Sequence, residues 1–392
     1  MRIAIVAGPD AGHAIPAIAL AERLVAAGET VTVFTGTAWL PGAGPTRPIP
    51  DGVTMAELPG LDVLDSEDDS DAGEKLSVRA ARMCTELIPV LRADPVDLVV
   101  CDVITVCGGW AAEHLGIPWI ELSPHPLYEP SVGLPPIGSG LTPGTGLSGR
   151  LRDRLMRAAT TRSRAQGDRQ RGSARASIGL PAASPGPAAR LVATLPALEV
   201  PRPDWPAGAH VVGPLLWEPT REVFTPPAGS GPVVVVAPST ATTGVADLVD
   251  TALEALDPAR TGTDVRVVVS ALRHRSRTLP PWAVAGTGRQ DDLLAHADLV
   301  VCGGGHGMLA KSLLAGVPVV TVPGGGDQWE LANRVVRQGS GVLVRPLGVE
   351  ALRASCLAVL ADPGFATAAR RAADGAADLA DPVAVCRSTV GD

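Results

Sequence analysis

Residues 289–342 read RQDDLLAHADLVVCGGGHGMLAKSLLAGVPVVTVPGGGDQWELANRVVRQGSGV, and the order of segments within this stretch decides the fold. Apolar and glycine-rich segments alternate, which predicts a buried strand at Leu299–Cys302, a glycine-rich turn at 303–307 and a helix at 308–315. A glycine-rich turn that leads into a helix leaves backbone amides unpaired at the helix N-terminus. The stretch therefore predicts a site that can hold an anion.

The same stretch continues into a second buried strand, predicted at 317–322. The loop after this strand carries two side chains that form hydrogen bonds, Asp327 and Gln328. Open α/β sheets bind ligands beyond the carboxyl ends of their strands, so this loop is also a candidate ligand site.

The rest of the chain repeats the alternation of strand and helix in two halves. In the first half, strands are predicted at 3–7, 30–34, 53–57, 98–101 and 118–122, and helices at 14–27, 74–92 and 106–115. Residues 213–232 contain five prolines and little periodicity, which is typical of a linker. Strands resume at Val233–Ala237. Continuous apolar strands between amphipathic helices predict parallel sheets, in domains at 1–212 and 233–392.

Composition excludes several other classes of protein. The chain has 392 residues and a net charge of −8, which argues against a nucleic-acid surface. The chain begins directly with a strand rather than a signal peptide, and no run of 18 apolar residues predicts a membrane span. The six cysteines form no C-x-x-C pair and no metal-ligand cluster, so we expect reduced thiols in a cytoplasmic protein.

Three motifs in order, GGGHGM at 303–308, Gly316-Val317-Pro318 and Asp327-Gln328, resemble the donor-binding signature of the UDP-glycosyltransferase superfamily. That family commonly shows H-G-G-x-G-T, then G-V-P, then D-Q. The resemblance implies the GT-B fold, an α/β architecture in which two Rossmann-like domains with parallel sheets face each other across a cleft. It also implies that the first domain binds the acceptor and the second binds the nucleotide sugar.

A separate motif lies at the end of the first predicted strand, where Gly12-His13 is followed by Pro16. G-H-x-x-P at this place resembles the acceptor-side motif of the same family, which implies that His13 is the general base. A base must be neutral to take a hydroxyl proton, and a helix N-terminus disfavours imidazolium, so we expect a neutral His13. Asp102, after strand 98–101, is the candidate carboxylate behind it. The alternatives are an N-cap role for Asp102, and Asp10 as the partner.

The resemblance assigns the remaining candidates to the donor. The turn would hold and stabilise the leaving diphosphate through Gly303, Gly304, Gly305, His306 and Gly307. Asp327 and Gln328 would bond the sugar hydroxyls, although turn formation is an alternative for Asp327. Ser239 is a candidate phosphate or acceptor contact, or an ordinary turn residue. No paired carboxylates stand at a suitable strand end, so we expect no bound metal.

The chain departs from the family pattern at four donor-site positions, one of which is Leu331, where the family usually has an asparagine. Gly303 stands where the family has a histidine, Met308 replaces a threonine, and Lys311 replaces a glutamate that often binds ribose. His306 is a candidate replacement for the lost imidazole. Lys311 is either a solvated helix residue or a replacement contact to phosphate or ribose.

Two further segments concern the acceptor and its surroundings. The family shapes its acceptor pocket from loops that correspond here to 36–50, 60–80 and 123–149. These loops contain apolar and aromatic residues that predict an apolar acceptor, namely Trp39, Leu64, Pro126, Leu127 and Tyr128. Residues 150–178 carry nine arginines. We expect a solvated helix pair there, with a patch for an anionic acceptor or carrier as the alternative.

The sequence thus predicts an inverting glycosyltransferase that moves a sugar from a UDP- or dTDP-type donor to a hydroxyl of a small, largely apolar molecule. It would need no cofactor. The setting implied is tailoring of a bacterial natural product. The alternatives are a catalytically weak auxiliary paralogue that binds a partner glycosyltransferase, and a nucleotide-sugar epimerase of related fold. The sequence leaves a homodimer open.

Overall fold

A computed structural model describes residues 1–43, 48–61, 72–241, 243–272, 278–376 and 379–391. Within these residues the chain forms two parallel sheets, of seven and six strands. The prediction of two α/β domains with parallel sheets is confirmed.

The first sheet has the strand order β3-β2-β1-β4-β5-β6-β7. Its strands are β1 (Arg2–Val6), β2 (Thr30–Thr35), β3 (Thr54–Glu57), β4 (Leu98–Asp102), β5 (Trp119–Ser123), β6 (Ala189–Val192) and β7 (Ala209–Val211). Its helices are α1 (Ala11–Ala26), α2 (Ala72–Ala93), α3 (Cys107–Leu115) and α4 (Gly146–Ser177). The strand order reverses between β1 and β4, and a crevice opens at such a point beyond the carboxyl ends of the strands.

The second sheet has the order β10-β9-β8-β11-β12-β13. Its strands are β8 (Val233–Ala237), β9 (Arg266–Ser270), β10 (Ala283–Gly286), β11 (Leu299–Cys302), β12 (Val319–Thr321) and β13 (Gly341–Leu343). The later helices are α5 (Leu248–Ala255), α6 (Pro258–Thr261), α7 (Gln290–Leu294), α8 (His306–Leu314), α9 (Gln328–Gln338), α10 (Val349–Ala361), α11 (Pro363–Asp374) and α12 (Pro382–Val390). The reversal here lies between β8 and β11.

The central strands β4, β8 and β11 are apolar except for Asp102 at the end of β4, because helices cover both faces of each sheet. Every residue of β8 and β11 is buried, and so is every residue of β4. Burying one such valine or leucine side chain contributes about 1.5–3 kcal/mol. The rigid sheets therefore fix where each strand ends, and the loops beyond those ends carry the candidate site.

Two expectations about helices are wrong. Residues 150–178 do not form a helix pair, because α4 runs unbroken for 32 residues. The second domain also does not extend to residue 392, since α12 leaves it. Val383, Val385 and Cys386 of α12 are buried in the core of the first domain. The apolar face of α12 therefore completes the first sheet's cover rather than the second's.

Two connections without helix or strand join these elements. Residues 213–232 link the sheets, and residues 124–145, which we call the cleft loop, join β5 to α4. Among the described residues, no helix is both long and apolar enough to cross a membrane.

Candidate active site

A cavity of about 320 Å³ lies between the two domains, at the carboxyl ends of both sheets. His13 and His125 line it from the first domain, and Ser239, His306 and Asp327 line it from the second. Because the crevice of each sheet opens into this space, a ligand here contacts loops from both domains.

His13 and Asp102 form a hydrogen-bonded pair on the first-domain wall. They meet because β1 and β4 are neighbours, with Val6 opposite Cys101 in register, so the loop after β1 lies beside the end of β4. Nδ1 of His13 lies 2.7 Å from Oδ1 of Asp102. A carboxylate only accepts, so Nδ1 carries a proton, and Nε2 is the basic nitrogen when the ring is neutral.

The surroundings of Asp102 hold its carboxylate in place. Asp102 is 1% exposed, and its Oδ2 accepts a hydrogen bond from the hydroxyl of Thr105 at 2.8 Å. The N-cap of α3 is Val106, so Asp102 does not cap that helix. Asp10, the rival partner in sequence, is exposed at the mouth of the cavity.

The pKa of His13 moves in the direction opposite to our expectation. Burial acts to lower this pKa, but the hydrogen bond and charge of Asp102, with the charges of Asp10 and Asp327, outweigh burial and raise it above 6.5. The nearby carboxylates therefore outweigh the effect of burial on this pKa. His13 becomes neutral only as the pH rises through this elevated pKa.

The glycine turn stands on the opposite wall, where β11 ends beside β8. Ala237 pairs with Cys302 in register, so the loop that holds Ser239 lies against Gly303. Helix α8 begins at His306, earlier than predicted, and its N-cap is Gly305. The first amides of a helix have no partner within it, so those of residues 305–308 are available to an anion.

A hydrogen-bond network ties this turn to the loop after β12. Gln328 donates from Nε2 to Oγ of Ser239 at 3.1 Å, and its Oε1 accepts from the amide of Gly324 at 2.9 Å. The hydroxyl of Ser239 also accepts from the amide of Ala241, so its own proton remains free to be donated toward the cavity. Gln328 is 4% exposed, and its side chain holds the Ser239 loop and the loop after β12 together.

The same network explains why position 303 is glycine. A β-carbon on Gly303 would lie 3.2 Å from Oε1 of Gln328 and 3.3 Å from Cβ of Ser239. Any side chain at this position would be in tight contact with that pair, so these two residues would have to shift slightly. The departure from the family pattern at Gly303 therefore goes with the Ser239–Gln328 hydrogen bond.

His306 is a neutral residue that contacts the first domain. Its Nε2 lies 2.9 Å from Oγ1 of Thr194, which belongs to the first domain. Burial, with repulsion from His125 and Arg334, lowers the pKa of His306 to about 3. His306 is therefore a neutral ring that joins the two domains.

Asp327 is held by a residue from the other domain. Its side chain does not cap α9, although the residue occupies the N-cap position. Instead its Oδ2 accepts a hydrogen bond at 3.0 Å from the hydroxyl of Tyr128 in the cleft loop. The carboxylate thus borders the cavity rather than serving its own helix.

Lys311 is not a solvated helix residue. Its ammonium group donates to Oε1 of Glu218 at 2.6 Å and to Oε1 of Gln290 at 3.0 Å. The side chains of Lys311 and Glu218 are 9% and 12% exposed, and both border the cavity. They also border a second cavity of about 630 Å³ along the linker, which contains none of the candidate catalytic groups. The ion pair fastens the linker to α8.

The acceptor side of the cavity is lined differently from the prediction. Trp39 is buried, because its indole N–H donates to the carbonyl of Pro9 and its ring packs on Trp217. Pro126 and Leu127 are buried as well, and Leu64 lies outside the described residues. The lining residues are instead Ile15, Pro16, Pro124, His125 and Ala193. The apolar character of the wall remains, supplied by other residues.

Sequence reasoning missed His125, since no motif marks it. Its Nδ1 lies 2.8 Å from the carbonyl oxygen of Pro126, and the ring stacks on Tyr128 with 4.4 Å between centroids. Burial lowers the pKa of His125, so the ring is neutral. Among the described residues, no group of three histidine, cysteine or carboxylate side chains could hold a metal ion.

The sequence of this chain is similar to those of known proteins. Residues 262–390 match the family described as erythromycin biosynthesis protein CIII-like, C-terminal domain. The 4'-demethylrebeccamycin synthase of Lentzea aerocolonigenes is 29% identical over 95% of each chain.

Solved structures of glycosyltransferases share the fold. The kitacinnamycin glycosyltransferase superposes with a TM-score of 0.75 at 22% identity, covering 96% of this chain and 94% of that one. The glycosyltransferase SsfS6 of Streptomyces sp. SF2575, complexed with thymidine diphosphate, has a TM-score of 0.69 at 23% identity and covers 99% of both chains. The predicted GT-B fold is therefore confirmed.

Proposed function

We propose that this chain, a glycosyltransferase of the family-one superfamily with the GT-B fold, transfers a sugar with inversion from a nucleoside diphosphate to a hydroxyl of a small, largely apolar molecule. The single observation that carries this proposal is the placement of the His13–Asp102 pair and the glycine turn on opposite walls of one cavity. Tailoring of a bacterial natural product is the setting that the relatives favour.

The opposed walls suit a single displacement. The acceptor oxygen forms a bond to the anomeric carbon while the bond from that carbon to the diphosphate oxygen breaks. Nε2 of His13 takes the acceptor proton, and the imidazolium that forms is stabilised by the buried carboxylate of Asp102. One base on one wall and one anion site on the other support inversion, because entry and departure then occur on opposite faces of the sugar.

The leaving diphosphate needs stabilisation on the second wall. The unpaired amides at the start of α8 and the free hydroxyl proton of Ser239 can supply it, together with the dipole of α8. In this arrangement the carboxylate of Asp327 binds the sugar hydroxyls. The side chain of Gln328 supports Ser239 and can offer the cavity its second amide proton.

We further propose that the donor is a dTDP sugar. SsfS6, which shares the fold, was solved with thymidine diphosphate, and this favours a dTDP sugar over a UDP sugar. Lys311 and Glu218 occupy the edge of the cavity near Gln290, where a carboxylate and an ammonium group could both meet a nucleoside. The six cysteines are unpaired and buried, and a cytoplasmic location remains our proposal.

The decisive experiment measures nucleotide release from dTDP and UDP sugars, with and without a panel of apolar hydroxylated acceptors, and assigns the anomeric configuration of the product by NMR. We expect acceptor-dependent release and an inverted linkage. Retention would overturn the mechanism. Nucleotide binding without turnover for any pair would favour the auxiliary paralogue, and release of nucleotide with an epimerised sugar would favour the epimerase.

A further inference from the structure

The sugar-facing carboxylate of the second domain is held from the first domain. Asp327 lies at the N-cap of α9, where an aspartate ordinarily bonds the first amides of its helix. It makes no such bond here, and the hydroxyl of Tyr128 donates to its Oδ2 instead. Asp327 also lines the cavity between the domains.

The ring of Tyr128 contacts one residue from each domain. Its ring stacks on His125 with 4.4 Å between centroids and 20° between planes. On the second-domain side, the guanidinium of Arg334 lies 5.8 Å from the ring centroid, within the range of a cation–π contact. These two contacts hold the ring of Tyr128 in place, and the position of its hydroxyl is fixed with it.

The hydroxyl of Tyr128 stays protonated in this setting. Burial and the charge of Asp327 raise its pKa above the ordinary value for tyrosine. Since a carboxylate can only accept, Tyr128 is the donor of this hydrogen bond. A hydrogen bond to a charged group is stronger than one between neutral groups, so the bond fixes the rotamer of Asp327.

The cleft loop reaches the same helix at a second place. Gly140 donates its amide to Oε2 of Glu330 at 2.8 Å, and its carbonyl accepts from Arg337 at 2.8 Å. The indole N–H of Trp329 donates to the carbonyl of Ser139 at 3.2 Å. These contacts hold the cleft loop on α9 without touching Asp327, which provides an internal control.

We propose that Tyr128 is a positioning residue for donor-sugar recognition: it holds Asp327 in the rotamer that binds the sugar hydroxyls, so that the cleft loop of the acceptor domain completes the sugar site of the donor domain. This inference rests on the proposed function, because it takes Asp327 to contact the sugar. It makes binding of the nucleotide independent of the cleft loop and binding of the sugar dependent on it.

The test compares calorimetric titrations of nucleotides with those of nucleotide sugars. The probes are dTDP, UDP, dTDP-glucose, UDP-glucose and dTDP-rhamnose. In Tyr128→Phe the ring and its stacking remain while the hydroxyl is lost. We expect Kd for the bare nucleotide to stay within about twofold of wild type, and Kd for the best nucleotide sugar to rise roughly tenfold or more, as for a lost hydrogen bond to a charged group.

The matched control is Trp329→Phe, which removes one hydrogen bond between the cleft loop and α9 but leaves Asp327 untouched. We expect its ratio of the two Kd values to equal that of wild type. Tyr128→Phe with an unchanged ratio would overturn the inference, and so would an equal rise in the control. Failure of every nucleotide to bind wild type would instead remove the proposed function, so the two failures are distinguishable.

Discussion

The ammonium group of Lys311 lies 2.6 Å from Oε1 of Glu218, and this contact joins helix α8 of the second domain to the linker that leads into it. The second carboxylate oxygen of Glu218 accepts from the amide of Gln290. Two opposite charges thus lie at the edge of the cavity and form an ion pair. The lysine at position 311 thus pairs with a glutamate that lies 93 residues earlier in the chain.

We predict that Lys311→Ala lowers the free energy of unfolding by about 1–3 kcal/mol, because it leaves the partly buried carboxylate of Glu218 with only the amide of Gln290 as a partner. Lys311→Glu should be worse, since two carboxylates would then meet. The exchanged pair Lys311→Glu with Glu218→Lys should recover most of the loss. Urea unfolding followed by tryptophan fluorescence measures all three. Equal stability of Lys311→Ala and wild type would contradict this assignment.

The same residue has a consequence for donor binding. Lys311 has three N–H donors, two of which are engaged by Glu218 and Gln290. If the third reaches the nucleotide, Lys311→Met should weaken nucleotide binding by about 1–3 kcal/mol. Titration with dTDP and UDP tests this prediction, with Lys75→Met, far along the chain on α2, as the control. An unchanged affinity would limit Lys311 to the ion pair.

His13→Ala should lower kcat by roughly 100-fold or more, which is the usual contribution of a general base. Nucleotide affinity should hardly change, because the glycine turn belongs to the other domain. His296 is exposed and bonds only within its own helical turn, so His296→Ala is a suitable control with full activity expected. Steady-state kinetics and nucleotide titration separate the two effects, and a fully active His13→Ala would remove the base from the mechanism.

The pH profile follows from the sign of the shift at His13. Activity requires the neutral imidazole, and the carboxylates around His13 raise its pKa above 6.5, so kcat should rise with pH through that elevated value. Asp102→Asn removes the principal raising influence. Its acidic limb should therefore move to lower pH, while the maximal rate falls by on the order of 100-fold because the imidazolium loses its partner. A limb that stays in place would show that another group controls it.

The expected independence of metal ions stays a prediction. The donor wall offers amides and a hydroxyl to the diphosphate, and the described residues bring no ligand set together there. We expect kcat to be unchanged after dialysis against excess EDTA. Activity that is lost on this treatment and restored by magnesium or manganese would require a different account of how the diphosphate leaves.

The sequence is sufficient where strand order alone decides a contact. His13 and Asp102 meet because each follows one of two neighbouring strands, and apolar periodicity reveals both strands. Motif spacing likewise marks Asp327 and Gln328. The arginine-rich segment 150–178 is correctly expected to be helical, but not to continue without a break, because arginines and small polar residues leave little apolar pattern to follow.

Contacts between the domains could not be predicted in this way. Tyr128 reaches Asp327 across 199 residues of chain, and Lys311 finds Glu218 in a segment without periodicity. The pKa of His13 also depends on such a contact, since Asp327 adds to the charges that raise it. These features depend on how two finished sheets face each other, and single-sequence patterns carry no information about that arrangement.

The return of α12 to the first domain affects any attempt to build chimeras from relatives. Nε of Arg387 donates to Oε1 of Glu29 at 2.8 Å, and Cys386 is wholly buried beside the first sheet. Exchanging residues 1–212 alone would pack a foreign sheet against the native α12. The apolar and ionic contacts at that interface would then differ from those in either parent protein. A graft that carries residues 379–391 with the first domain keeps this interface intact, so the unit of recombination is discontinuous in sequence.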